Sequence, residues 1–274
     1  MRLTKFIDML LFSLTKISAV ITMLVLFLII VYILANGIPH LRPSLFAIQH
    51  TADNVSMFPA LVSTLIIVLL AMSFAVPLGI FTGIYLVEYT KKGSRLVALI
   101  RSTTEFLAGI PSIVYGLFGM LFFVEFLGFG FSVLAGAATL SIMVLPLIIR
   151  TTEEALKSVP DGYREGSFAL GAGKLRTIFR IVLPSAMPGI FAGIILAIGR
   201  IIGESAALIF TAGTIPQIPQ NPMQSARTLS VHMWALSGEG HNVGEAYATA
   251  VILLVVVFAI NALSAFVAKR LTQY

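Results

Sequence analysis

At 274 residues the chain is long enough for one or two soluble domains, yet 58% of it is hydrophobic and only 11% charged, against roughly 45–50% and about 25% in soluble globular proteins, which points to lipid. The absence of Cys excludes disulfides, thiolate metal sites and thiol nucleophiles together. The net charge of +6 does not indicate nucleic acid as a partner, because Lys and Arg sit in short gaps between apolar runs and form no basic stripe on a soluble face.

A bilayer core of about 30 Å takes roughly 20 helical residues at about 1.5 Å each. Leu3, Phe6, Ile7, Leu10 and Leu14 recur at helical spacing beside Arg2, Lys5 and Lys16, which predicts residues 1–16 as a cytoplasmic, interfacial helix. A single transmembrane domain, 17–274, follows. Its first span, Ile17–Ile38, is too long for a signal-peptide core and lacks a small-x-small cleavage site. Asn54–Val87 holds an external preface and the second span; Phe106–Val124, Phe126–Ile149, Pro188–Phe210 and Ala246–Ala268 complete an all-α protein of six transmembrane helices. Pro77, and Gly109 with Pro111, are expected to bend or interrupt the second and third spans, either as simple kinks or as breaks lining a cavity.

The gaps between spans set the orientation, since basic residues resist translocation. Arg2, Lys5, Lys16, Lys91, Lys92, Arg95, Arg101, Arg150, Lys157, Arg164, Lys174, Arg176, Arg180, Lys269 and Arg270 fall on one side, and only Arg42 and Arg227 on the other. Both termini are therefore expected in the cytoplasm. His40, His50, His232 and His241 then lie singly on outer loops, where they read as solvated or interfacial residues and not as a metal site.

The cytoplasmic segment 151–187 is the most polar stretch. Gly171-Ala172-Gly173-Lys174 is no phosphate-binding loop, because Phe168 stands where the first Gly is needed and Leu175 where Ser or Thr is needed. Ser13-x-x-Lys16 lacks the companion motifs of a Ser nucleophile, and no HExxH, GxSxG or GxGxxG occurs, so neither catalytic residues nor a metal site are expected. Pro160 should end one helix, Tyr163–Leu170 form a second, and Gly171 and Gly173 supply a left-handed turn before a third, Lys174–Ile181. Pro184 and Pro188 should mark re-entry into the membrane.

Within this segment Glu165 is followed six residues later by Gly171 and then by Ile181-Val182-Leu183-Pro184. That spacing resembles the EAA loop of binding-protein-dependent ABC importer permeases, with Gly166 and Ser167 in place of the usual Ala-Ala. Both are small enough for close packing, although Gly166 should weaken the helix by up to about 1 kcal/mol relative to Ala. Gly109–Phe118 and Gly199–Gly213 are similar to stretches of the phosphate-specific (Pst) permeases, the second stretch and Thr214–Ile218 looking more like the A subunit. The resemblance implies a type I importer permease in a bacterial-type plasma membrane. It also implies Glu165, Gly166, Ser167, Gly171, Ile181, Leu183 and Pro184 as the contact to an ATPase. The implied partners are a homologous C-type permease, two ATPase subunits that hold ATP and Mg, and an extracytoplasmic phosphate-binding protein; no cofactor is implied on this chain. Molybdate or sulfate is the alternative cargo, and an autonomous secondary transporter or channel the alternative class.

A charge inside the membrane costs about 2.5–3.5 kcal/mol on insertion scales, so Arg200 in the fifth span needs a reason. Glu204, four residues on, should share its face and pair with it. Arg200 either fixes helix register through that pair or lines an anion pathway; Arg150 is a second pathway candidate or a positive-inside anchor. Arg101 and Glu105 repeat the four-residue spacing near the third span, where an interfacial position favours a structural pair over a place on the pathway. Gly189, Gly193, Gly199 and Gly203 form two small-xxx-small pairs for helix packing. In the outer loop 214–244, the apolar set Leu229–Leu236 with Trp234 is either an interfacial anchor or a docking surface for a soluble binding protein.

Overall fold

Apolar chain in lipid must satisfy its own backbone, and with no barrel-forming alternation the only route is helix. The computed structural model describes residues 2–90, 94–240 and 242–271, and among them no strand occurs. Lys91, Lys92 and His241 lie outside the described residues, as do the side chains of Arg2, Leu3, Lys5, Phe6, Ile7, Lys269 and Arg270. Five helical segments are long and apolar enough to cross a membrane, or six if one bent pair counts as a span.

Helix α1 (Arg2–Gly37) runs without a break, so residues 2–16 continue directly into the first span. Helix α2 (Phe58–Ile84) continues through Pro77 and ends in a π-helical turn at Tyr85–Tyr89. The next apolar segment divides into α3 (Arg95–Ala108) and α4 (Ser112–Gly119), the latter running on as a π-helical turn to Phe126. The two arms are bent by 102°. Gly109 closes α3, its N–H reaching the Phe106 carbonyl at 3.1 Å. Pro111 then drives Ile110 out of the helical region. The break expected at Gly109 and Pro111 is present; the one allowed for at Pro77 is not.

Helix α5 (Val133–Lys157) starts at Ser132, whose hydroxyl accepts from Ala135 N at 3.1 Å. It is the axis of the fold, with α2 against one face and α8 (Leu183–Gly203) against another. Glycines permit both approaches: a Cβ at Gly79 or Gly83 would strike Ile148 or Thr152, and one at Gly189 or Gly193 would strike Ala155 or Thr151. Gly199 and Gly203 face open space, so only the first of the two expected small-xxx-small pairs on the fifth span packs within the chain. Ile67, Ala71, Leu140, Val144, Ile148, Ala197 and Ile201 fill the seam.

Two expectations for the fifth span are corrected. After α6 (Asp161–Ala169) and α7 (Lys174–Thr177), the chain passes through a π-helical turn at Ile178–Val182 into α8, so Lys174–Gly203 is one continuous span and Pro184 does not mark a new start. The widened turn directly precedes Pro184, whose ring and missing N–H would otherwise conflict with the Arg180 carbonyl. At the other end α8 stops at Gly203. Glu204 is extended (φ −77°, ψ 128°), and the short helix α9 (Ala206–Ile209) follows.

The loop 214–244 folds back onto the bundle. Helix α10 (Leu229–Glu239) is capped by the Thr228 hydroxyl, and Leu229 N donates to Thr64 Oγ1 at 2.9 Å. Leu229, Val231 and Leu236 are buried in the chain's own core and so offer no surface for an anchor or a docking partner, while Met233 and Ala235 are half-buried and Trp234 stays exposed. His232 is fully buried, edge-on to His50 at 5.7 Å between centroids, and Arg227 Nη2 lies 3.1 Å from His50 Nε2. His232 is therefore a packed group and not a solvated one, because α10 brings it under cover, and His50 is half-buried beside it. Helix α11 (Val243–Leu271) is the last described element and carries α1 along its side, where Tyr32 and Tyr247 meet edge to face at 5.8 Å.

Candidate functional site

The site is built from one stripe on each of two helices. On α5, Met143, Pro146, Leu147, Arg150, Glu153, Glu154 and Lys157 follow the three-and-four spacing of a single helical face over fifteen residues, about 21 Å. On α3, Arg101, Thr104, Glu105 and Ala108 do the same, and α8 adds Arg200. Together they line a cavity of about 330 Å³. The 102° bend lays α3 beside α5; a straight third span would have carried Arg101 and Glu105 away from it.

Four cations and three carboxylates share this cavity, and their pairing differs from the sequence expectation. Arg101 Nη2 meets Glu153 Oε1 at 2.5 Å and not Glu105. Lys157 Nζ meets the same Glu153 oxygen at 2.6 Å, and Arg150 Nε meets Glu154 Oε1 at 3.0 Å. The Arg200–Glu204 pair does not form. With α8 ended at Gly203, the Glu204 carboxylate turns toward α9 and accepts from Ala207 N at 3.2 Å, while its carbonyl accepts from Ser230 Oγ at 2.6 Å. Arg200 makes no ion pair among the described residues. It stands exposed between the charged cavity and a second, mostly apolar one of about 700 Å³ lined by Leu147, Ala192, Leu196, Val257 and Asn261 among others.

The structure thus brings Arg101, Glu105, Arg150 and Arg200 into one cavity and leaves Glu204 out. Gly109 and Pro111 shape the cavity by turning the chain and do not line it. Sequence reasoning missed Glu153, Glu154 and Lys157. Their signal was available: Arg150–Glu154 and Glu153–Lys157 are both four apart on one helix.

The loop 151–187 presents a different surface. Glu165 and Gly166 are exposed on α6, and no described atom of this chain lies within 4 Å of a Cβ built at Gly166. Ser167 is buried, its hydroxyl 2.8 Å from that of Thr177, which ties α6 to α7. Gly171 takes φ +82° in the turn between them, where Gly173 does not need a positive φ. Ile181 and Leu183 are half-buried and Pro184 is exposed. Tyr163, Phe168, Leu170, Leu175 and Phe179 project outward, Leu170 at 90% exposure, leaving an apolar face that none of the described residues covers.

Arg164, also missed, fastens this loop to the bundle. Its Nε and Nη2 lie 3.0 and 2.8 Å from Glu88 Oε1 on the π-helical turn after α2, and Nη1 reaches Asp161 at 3.2 Å. The guanidinium also donates to the carbonyls of Leu156 and Val159 at 2.9 Å each, satisfying the open end of α5.

Residues 75–273 match the family model described as binding-protein-dependent transport system inner membrane component, a stretch that contains the whole cavity and the whole loop. The probable ABC transporter permease protein YqgI of Bacillus subtilis (strain 168) is 36% identical over 224 residues, covering 76% of each chain. The phosphate transport system permease protein PstA 1 of Mycobacterium tuberculosis (strain ATCC 25618 / H37Rv) is 39% identical over 221 residues, covering 78% of this chain and 71% of its own. Among solved structures, a chain of a bacterial alginate ABC transporter in complex with alginate pentasaccharide-bound periplasmic protein superposes with a TM-score of 0.72 over 97% of this chain and 96% of that one, at 15% identity, and so shares the fold. By the extent of the family match and the identity to these permeases, the chain belongs to the inner-membrane components of binding-protein-dependent transport systems.

Proposed function

We propose that the chain is a permease subunit of an ATP-driven importer of inorganic phosphate, and that the cavity between α3, α5 and α8 is its half of the pathway. In this reading a homologous C-type permease supplies the other half, and two ATPase subunits seat on the loop around Glu165. A soluble phosphate-binding protein delivers the anion from outside. The observation that carries it is the convergence of Arg101, Arg150, Lys157 and Arg200 on one cavity. Guanidinium groups stay charged at any physiological pH, and their planar fork matches the oxygens of a tetrahedral anion. The names of the PstA relatives support phosphate as the anion.

The chemistry required is passage and not reaction. A cavity lined by cations alone would hold a dianion too tightly to release it, whereas Glu105, Glu153 and Glu154 leave an excess of about one positive charge. ATP-driven closure of the partners would push on α6, and Arg164 would carry the movement to α2 and α5. The deciding experiment reconstitutes the co-purified complex with its binding protein and compares ATP-dependent uptake of phosphate, sulfate and molybdate. Phosphate uptake above the other two is expected; equal or greater uptake of another oxyanion overturns the cargo assignment, and uptake independent of ATP overturns the class.

A further inference from the structure

One carboxylate oxygen in the cavity serves two cations from two helices. Glu153 Oε1 lies 2.5 Å from Arg101 Nη2 on α3 and 2.6 Å from Lys157 Nζ one turn along α5. The exposures are unequal: the Glu153 side chain is 9% exposed, and those of Arg101 and Lys157 are 43% and 52%. The carboxylate is held in the protein, and the two cations reach to it over the cavity wall from positions open to solvent. Exposed ion pairs are screened and contribute little to stability, so two cations left this open are weak fasteners of α3 to α5. Here the cations remain available to another partner.

An anionic oxygen between a guanidinium and an ammonium is also the environment that an oxygen of a tetrahedral oxyanion would take. We propose that Arg101 and Lys157 form an anion site at the opposite end of the α5 stripe from Met143, and that the Glu153 carboxylate occupies it until the passing anion displaces it. This rests on the pathway reading above and adds a second station to it. Glu153 then acts as a competing internal anion: it weakens capture at the last cationic site before the cytoplasm and so favours release. Glu154 does not fill this role, being engaged with Arg150 at 3.0 Å where both side chains are largely exposed.

Glu153→Gln keeps the shape and removes the competing charge. In the purified, assembled complex without binding protein, equilibrium binding of radiolabelled inorganic phosphate at low ionic strength should tighten by about tenfold or more, given the Coulomb energies of neighbouring charges at a protein surface. Uptake by the same variant in proteoliposomes should slow. A structural bridge predicts no gain in anion affinity, so binding no tighter than in the unsubstituted complex, including no binding by either, overturns the proposal. Should Glu153→Gln fail to assemble, the double variant Arg101→Gln, Lys157→Gln decides: the proposal requires its uptake to fall, and unsubstituted uptake overturns it. Arg200→Gln separates the two levels. Normal uptake in that variant refutes the pathway itself, whereas lost uptake there with unchanged phosphate affinity in Glu153→Gln refutes only this second station.

Discussion

Arg200 and Glu204 would share one face of an unbroken helix. Because α8 ends at Gly203 and Glu204 turns to cap α9, the two groups enter different environments. On the proposed pathway, Arg200→Gln should lower phosphate uptake per assembled complex by about tenfold or more, since it removes one of the four cations that line the cavity. Glu204→Gln should leave uptake close to normal, because an amide oxygen can still accept from Ala207 N. Equal losses in the two variants would restore the coupling between them that the geometry removes. His232 gives a second test at this scale. Burial, then Arg227 and His50, lower its pKa from the ordinary 6.5 to about 3. The folded protein keeps this ring neutral where the unfolded chain protonates it, so its contribution to stability is complete above about pH 6.5 and is lost as pH falls toward 3. The thermal midpoint of the purified protein should drop between pH 7 and 5, and His232→Leu should flatten that slope; an equally steep slope in the variant removes His232 as the cause. In the sequence this residue reads as one of four scattered histidines between spans, and only the folding of α10 onto α2 and α11 reveals it as buried.

At the scale of elements, helix α5 is gripped on two sides by glycine pairs. Gly83→Leu and Gly193→Leu force side chains into Thr152 and Thr151, and overpacking of this kind costs about 1–3 kcal/mol. Gly199→Leu meets open space. Thermal stability in detergent should therefore fall for the first two and hold for the third; a similar loss in all three would mean that lost backbone freedom and not contact is responsible. Arg164 and Glu88 join α6 to the end of α2 as a nearly covered ion pair, and removal of one partner of such a pair costs about 3–5 kcal/mol. Arg164→Gln should uncouple the machine, with ATP hydrolysed by the complex but less phosphate imported per ATP. An unchanged ratio in an assembled complex would reduce the pair to a local fastening. Local chemistry was legible here: the break at Gly109 and Pro111 follows from backbone restriction, and the positive φ at Gly171 from the need to turn. The continuity of Lys174–Gly203 was not, because prolines that usually begin a helix were absorbed by a π-helical turn. The pairing of Arg164 with Glu88, 76 residues apart, has no local signal at all.

For the whole molecule, the asymmetry of Lys and Arg predicts which end of the bundle faces the cytoplasm, and the native lack of Cys makes the test clean. Met223→Cys, 48% exposed on the outer loop, should react with an impermeant thiol reagent added to intact cells, and Ser158→Cys, exposed after α5, should not. The reverse pattern inverts the topology. Helix α1 stands apart in this assembly, with none of its apolar window buried and α11 as its principal neighbour. Tyr32 and Tyr247 are 215 residues apart, so at a synthesis rate of about 5–20 residues per second the first helix waits roughly 10–40 s for the last to leave the ribosome. During that interval lipid and the insertion machinery must hold it unaided. A ribosome-bound chain truncated before Val243 should already resist carbonate extraction through α1, and the arrival of α11 should add packing without changing what has been inserted.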